Sequence, residues 1–344
     1  MLLINFLLIY CIWVSLSVQI NGYMAYRFYS VIPFLLLASL ASHAQLEGCT
    51  DKAAINYDAL SIVNNGSCRY APISIMPILK CIQPASLAEN SGMIFWDNLV
   101  WQINDSGGLP VLYAMDTLTN SIVRTVKIQD AYNLDWEDIA QDESSIYVGD
   151  FGNNLNGARP KFIIYKIAKS DLLGHVGNSV VKPTVIQFTY EDQPLHSVVL
   201  PANSTDWDCE AMISYKDRLY LFTKQWKGNR TVLYELTNEE GVHVAVRKDS
   251  MDVGGLISGA DVDLKTHRIA LTGYSFSGER FLYLLYDFKG NDFFRGNKRK
   301  ISLLGPQQTE SVAFINANYI FIGSESFSIL KQRLESVSLI EFFK

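Results

Sequence analysis

The sequence predicts an all-β protein assembled from one repeated unit. Three observations carry that expectation: a phrase that recurs five times, its strand–turn–strand content, and its spacing. The copies read SGMIFWDNLVWQI from Ser91, EDIAQDESSIYVG from Glu137, EAMISYKDRLYLF from Glu210, ADVDLKTHRIALT from Ala260 and ESVAFINANYIFI from Glu310. Their anchor residues, Met93, Ile139, Met212, Val262 and Val312, step by 46, 73, 50 and 50 residues. Nine residues past the anchors, without a gap, stand Gln102, Val148, Leu221, Leu271 and Phe321. All but Gln102 are apolar, as a strand buried on one face requires. Strand-rich repeats of this length predict a β-propeller.

Each element of the blade follows in order. Third strands are expected at VLYAMD, IIYKI, VLYEL and YLLYDF, and in the fifth copy at SILKQRL around Leu330. Fourth strands are expected at SIVRTVKI, TVIQFTY, HVAVRK and KRKISLL. Four antiparallel strands make a blade, and blades need neighbours to cover their faces. Five blades are favoured. A sixth is the alternative, because the long second step carries extra material around LLGHVGNSVVKP and HSVVLPANSTD. PISIMPILKCI, ahead of the first copy, is placed to supply the outer strand of the last blade and close the ring. A generic antiparallel sandwich competes, but a five-fold gapless register weighs against it.

With 344 residues, 49% hydrophobic and 19% charged, the chain is large enough for a sizeable core. Its net charge of −6 and lack of a basic stripe argue against a nucleic-acid partner. The one basic cluster, KGNDFFRGNKRK (Lys289–Lys300), reads as a solvated loop at a blade turn. Two apolar runs open the chain, Leu2–Ile20 and Val31–Ala41. A start at Met24 followed by the second run and Ser42-His43-Ala44 makes a signal peptide ending before Gln45. The alternative is a membrane helix over residues 2–20. Both readings export the remainder, as a secreted, periplasmic or cell-surface protein with no stable membrane span in the mature chain. The organisation expected is a targeting segment over 1–44, a small module over 45–72 and a propeller over 74–344.

Cys11 lies in the first apolar run, which leaves Cys49, Cys68, Cys81 and Cys209 and three pairings. Cys49 and Cys68 bracket a short polar segment and are expected to pair. Cys81 and Cys209 either pair or are buried thiols. Residues 48–70, GCTDKAAINYDALSIVNNGSCRY, resemble the GCTD-x-x-A-x-NYD…DGSC-x-Y module attached to exported proteins of Bacteroidetes. Asn64-Asn65 depart from it, where an acidic pair is usual. So few buried side chains need a staple. Asp51, Asn56 and Asp58 are suited either to calcium or to turn capping, and capping is preferred because too few carboxylates remain.

NDSGG (Asn104–Gly108), DWEDIA (Asp135–Ala140), GDFGNN (Gly149–Asn154) and DWDCEAM (Asp206–Met212) form a distinctive set. They resemble a group of secreted Bacteroidetes propeller proteins without assigned activity. More distantly they resemble phytase-like or esterase-like propellers and calcium-dependent lactonase propellers.

Two residues before the anchors stand Ser91, Glu137, Glu210, Ala260 and Glu310. At the start of innermost strands they would encircle one mouth of the central channel, bringing three glutamates together. Beyond the second strands come Asp105, Asp150, Lys224, Tyr274, Ser324 and Glu325. Converging carboxylates need a positive partner. Calcium, held by Glu137, Glu210 and Glu310, is one candidate. Arg159, Arg230 and Arg280, each just before a third strand, are the other.

Three readings follow. The first is a binding or scaffold propeller with a structural Glu–Arg ring and an unidentified protein or small-molecule ligand. The second is a calcium-assisted hydrolase of esters, lactones or phosphoesters. The third is a calcium site that only stabilises the fold. Other catalysts fit poorly. His175, His196, His243 and His267 show no ligand spacing, and there is no nucleophile elbow or P-loop. Ser106 lacks an assignable base. Trp96, Trp101, Trp136, Trp207 and Trp226 are expected between blades rather than lining a sugar site.

Overall fold

The computed structural model describes residues 46–194 and 199–343. The N-terminal apolar runs, the start at Met24, Cys11, His43 and His196 lie outside them.

The polar segment after residue 45 folds around a parallel pair, β1 (Glu47–Gly48) and β2 (Val63–Asn64), with Cys49 and Cys68 bonded at 2.06 Å. Its acidic and amide side chains cap turns, as preferred above. Asp51 Oδ1 accepts from the Ala53 amide at 2.8 Å, and Asp58 Oδ1 from Leu60 at 3.0 Å. Asn56 Oδ1 accepts from Arg69 at 2.7 Å. Asp51 Oδ2 also accepts the Tyr70 hydroxyl at 2.7 Å and the Tyr286 hydroxyl at 2.6 Å, which ties this module to the propeller.

Two short strands follow, β3 (Ser74–Ile75) and β4 (Ile78–Ile82). Blade 1 is β5 (Asn90–Trp96), β6 (Leu99–Asn104), β7 (Val111–Asp116) and β8 (Ser121–Ile128). Blade 2 begins with β9 (Trp136–Gln141), β10 (Ser145–Asp150) and β11 (Phe162–Ala168). The chain then leaves to add β12 (Gly177–Val181) in parallel to the edge of blade 1. It returns with β13 (Thr184–Tyr190) to complete blade 2. The extra length of the second step is therefore a fifth strand on blade 1 plus a connection, and the described residues form no sixth blade.

Blade 3 is β14 (Cys209–Tyr215), β15 (Arg218–Thr223), β16 (Arg230–Thr237) and β17 (Gly241–Asp252). Blade 4 is β18 (Leu256–Asp263), β19 (Arg268–Tyr274), β20 (Arg280–Tyr286) and β21 (Asn297–Leu303). Blade 5 is β22 (Thr309–Asn316), β23 (Tyr319–Ser324) and β24 (Arg333–Ser338), completed by β4 from the start of the chain. PISIMPILKCI thus closes the ring. Further parallel pairings cover edges that would otherwise be open: β13 on β17 and β3 on β21.

Three details of the sequence reading change. Leu330 sits in a turn, bridging to Phe327, and the third strand of blade 5 is RLESVS. The basic cluster ends inside β21 rather than in a loop. In blade 4 the first hairpin is longer, so Ala260 rather than Val262 pairs with Leu271. The innermost strand there slips by two residues against the gapless alignment.

Five apolar wedges fill the gaps between adjacent blades. Trp101 and Trp136 are fully buried in the wedge between blades 1 and 2, as expected of inter-blade aromatics. Cys209 and Cys81 are free thiols in two other wedges. On the axis the innermost strands come so close that side chains are excluded at two points. A Cβ on Gly92 would stand 2.8 Å from Asp138 Cα, and one on Gly259 2.7 Å from the Glu310 carbonyl oxygen.

We expect Gly92→Ala and Gly259→Ala each to destabilise the propeller by about 1–3 kcal/mol, measured by denaturant unfolding, because backbone rather than a flexible side chain must move. Unchanged midpoints would show that the inner strands have slack.

Candidate functional site at the channel mouth

Every innermost strand carries a β-bulge at the same point, and the bulged residues are Ser91, Glu137, Glu210, Ser258 and Glu310. A bulge re-aims the side chain of the extra residue. At the two serines the hydroxyl closes onto the next blade: Ser91 Oγ donates to the Trp136 carbonyl at 2.8 Å, and Ser258 Oγ to Thr309 at 2.6 Å. The three glutamates are nearly fully buried, at 5%, 3% and 7% exposure for Glu137, Glu210 and Glu310. Ser258, not Ala260, is thus the blade 4 counterpart.

The neighbouring loops bring further acids. Asp105 follows β6, while Asp135 and Asp208 precede β9 and β14. Asn133 fixes the first loop, donating to the Asp105 carbonyl at 2.8 Å. Asn153 fixes the lead into β14: its amide nitrogen donates to Asp208 Oδ1 at 2.6 Å, and its side chain to the Trp207 carbonyl at 3.0 Å. NDSGG, DWEDIA, GDFGNN and DWDCEAM therefore meet at one mouth. Gly152 permits this, because a Cβ there would overlap Glu137 Oε1 and the Asp135 carboxylate.

The carboxylates form two triads that share Glu137. Asp105, Asp135 and Glu137 bring one oxygen each within 4.8 Å of one another, and so do Glu137, Asp208 and Glu210. The second triad has partners. Lys224 Nζ lies 3.1 Å from Glu210 Oε2, and the Trp226 indole donates to Asp208 Oδ2 at 2.7 Å. Among the described residues the first triad forms no salt bridge, and Glu137 Oε1 and Glu210 Oε1 are both buried without a hydrogen bond. Glu310 stands outside both triads, accepting from Gln308 Nε2 at 2.8 Å.

The arginines are not the counter-ions of the glutamates. Arg159 pairs at 2.5 Å with Asp150, which lies behind Asp135 and accepts its backbone N–H at 3.2 Å. Arg280 is buried against Glu335 at 2.7 Å and the Leu304 carbonyl at 2.6 Å. Arg230 donates to Ser250 at 3.0 Å. The expected Glu–Arg ring is replaced by a single lysine, Lys224. The sequence held a signal for the missed acids: Asp135-Trp136-Glu137 and Asp208-Cys209-Glu210 repeat an Asp two residues before a bulged Glu. Lys224, Tyr274 and Glu325 stood at the right repeat position, but their direction depends on where the strands end.

Burial and mutual repulsion shape the charges. Asp135 is pushed up to about 7 by burial and by Asp105 and Asp208. Glu310 is held at about 7, chiefly by burial, and Glu325 at about 9 by burial with Glu310 and Glu89 beside it. Burial and Glu210 push Glu137 well above the carboxylate range. Burial opposes the Lys224 charge, yet Glu210, Tyr274, Glu310 and Asp208 hold it firmly protonated.

No protein-family model and no curated protein matches the chain. Among solved structures it is similar to a PQQ-bound aldose sugar dehydrogenase from Streptomyces coelicolor, with 10% identity and a TM-score of 0.45, covering 77% of this chain and 99% of that one. It is also similar to hydrazine synthase from Kuenenia stuttgartiensis, with 9% identity and a TM-score of 0.37, covering 75% and 64%. A chain of a mitotic checkpoint complex matches at 6% identity and a TM-score of 0.34, covering 70% and 71%.

Glu137→Gln removes a carboxyl whose ionisation the fold opposes, and a cation ligand, at once. We expect it to raise the melting temperature in chelator and to abolish any rise with calcium. Lys224→Met should do the reverse, lowering stability in chelator and enlarging the calcium response by freeing the second triad. The pH dependence has a definite sign. Asp135 and Glu310 ionise near 7 in the fold but near 4 in an unfolded chain. Between those values the unfolded chain has released protons that the fold retains, so stability in chelator falls as pH rises from about 4 to about 7. The calcium-induced rise in melting temperature should grow over the same interval, because the cation binds the ionised form.

Proposed function

We propose that the channel mouth is a calcium-dependent hydrolytic site for esters, lactones or phosphoesters, carried by an exported propeller. The observation behind this is the pair of triads sharing Glu137, one paired with Lys224 and the other without a salt bridge among the described residues, with Glu137 Oε1 and Glu210 Oε1 buried and unpartnered. An all-oxygen donor set suits a hard cation. Asp105, Asp135 and Glu137 would hold it, with Gly152 giving the carboxylates room. A calcium ion bound there would polarise a substrate oxygen and acidify water.

The chain's own groups supply the rest. Glu310 titrates at about 7 and Glu325 at about 9, which suits them to deliver a proton to a leaving-group oxygen. Lys224 presents a fixed positive charge to a developing anion. Glu137, Glu210 and Glu310 pair with no arginine, and Lys224 alone meets Glu210, so the structural ring behind the scaffold reading loses support and the hydrolase reading is favoured. Export is consistent with the Cys49–Cys68 disulfide, a bond that persists in oxidising compartments. Among the described residues no helix is long and apolar enough to cross a membrane.

The test is hydrolysis of p-nitrophenyl acetate, a γ-lactone and p-nitrophenyl phosphate, with calcium and with chelator. We expect calcium-dependent turnover of one class, reduced about 10²–10⁴-fold in Glu310→Gln or Glu325→Gln, while both variants keep the calcium-induced thermal shift. Calcium binding with no turnover of any class would return the protein to the binding reading.

A further inference from the structure

A second candidate site lies away from the channel mouth, where the disulfide module meets blades 3 and 4. Here a cleft of about 610 Å³ is lined by both parts of the molecule. The module side supplies Arg69 and Tyr70, and the propeller side supplies Met251, Tyr283, Lys298 and Lys300. The lysines arise from the one basic cluster in the sequence. Alternation along β21 (Asn297–Leu303) sends Lys298 and Lys300 to the cleft, while Ile301 and Leu303 face the core.

The cleft has the make-up of a small-molecule site: a volume in the usual range of about 300–1,000 Å³, apolar and aromatic walls, and a few placed polar groups. Its charge opposes that of the whole chain. Three cations line it against one carboxylate, Asp252, in a protein of net charge −6. The cations are positioned but incompletely used. Lys300 Nζ donates to the Val253 carbonyl at 2.6 Å, and an ammonium has three protons to give. The Arg69 side chain is exposed and has no hydrogen bond or ion pair among the described residues. Lys298 is different: its ammonium reaches the carbonyls of Phe294 at 2.8 Å, Gly296 at 3.2 Å and Gly66 at 3.4 Å, bridging module and propeller. Burial also pulls both lysines below the usual range, a penalty that a bound anion relieves.

We propose that this cleft binds a small organic anion, with its phosphate, sulfate or carboxylate between Arg69 and Lys300 and its apolar body against Met251 and Tyr283. Binding there would clamp the module to the propeller, since each contributes one side of the site. The proposal does not depend on the chemistry at the channel mouth.

Phenyl phosphate is the probe, with benzyl alcohol as its uncharged counterpart, titrated calorimetrically into the protein. A ligand of this size should show saturable binding with a dissociation constant on the order of 1 mM. Arg69→Ala with Lys300→Met should weaken it at least tenfold, benzyl alcohol should not bind, and Glu137→Gln should bind as the native protein does. Arg69→Ala alone removes an exposed, unpartnered side chain, so a severalfold loss there serves if the double variant does not fold. Equal affinity in the cleft variants, absence of saturable binding, or loss of binding in Glu137→Gln would each overturn the proposal.

Discussion

The close meeting of five innermost strands on one axis is the constraint on which the rest of the structure depends. Strands this near one another have no room for ordinary side chains facing inward, hence Gly92 and Gly259 where backbones approach. They also have no room for an uninterrupted ladder that turns a long side chain toward the channel. A bulge at the same point in each blade resolves this. It breaks the pairing once and rotates one residue out of the wall. Where that residue is serine it hydrogen-bonds the next blade; where it is glutamate it enters the mouth. One backbone device thus serves closure in two blades and gathers acids at the mouth in three.

The same crowding sets the electrostatics. Asp138, one residue past a bulge, is fully enclosed and accepts amide protons from Ile139, Met212 and Ala260, spanning three blades. Asp261 does likewise with Phe314. These acids are satisfied by backbone, and their burial serves cohesion. Asp135 and Glu137 differ: their neighbours are chiefly other acids, and burial and repulsion push both above the usual carboxylate range. Within one channel, then, carboxylates met by N–H groups from several blades form the frame, and those of the mouth face one another.

The fold was legible because strand alternation is local and the repeat multiplies it five times. Four of five third strands and the closing role of PISIMPILKCI could be read directly. The register of blade 4 could not, because the longer hairpin between Asp263 and Arg268 shifts one strand against the other while leaving the apolar pattern intact. The added strand Gly177–Val181 was equally hidden, since it pairs with a blade already complete. At the site, Glu137, Glu210, Glu310 and Asp105 were visible by repeat position. The counter-ion was not. Arginine and lysine look alike in a sequence, and only strand ends decide that Lys224 turns inward while Arg280 turns to Glu335.

The closing strand carries a consequence for how the molecule is made. Ile78–Ile82 is made about 250 residues before its partner Arg333–Ser338. No blade-by-blade route can close the ring before that partner has appeared. That separation makes closure entropically slow, and until it happens the fifth apolar wedge, with Cys81 in it, stays wet. The ring therefore stays open, and its first strand unpaired, until Arg333–Ser338 has been made.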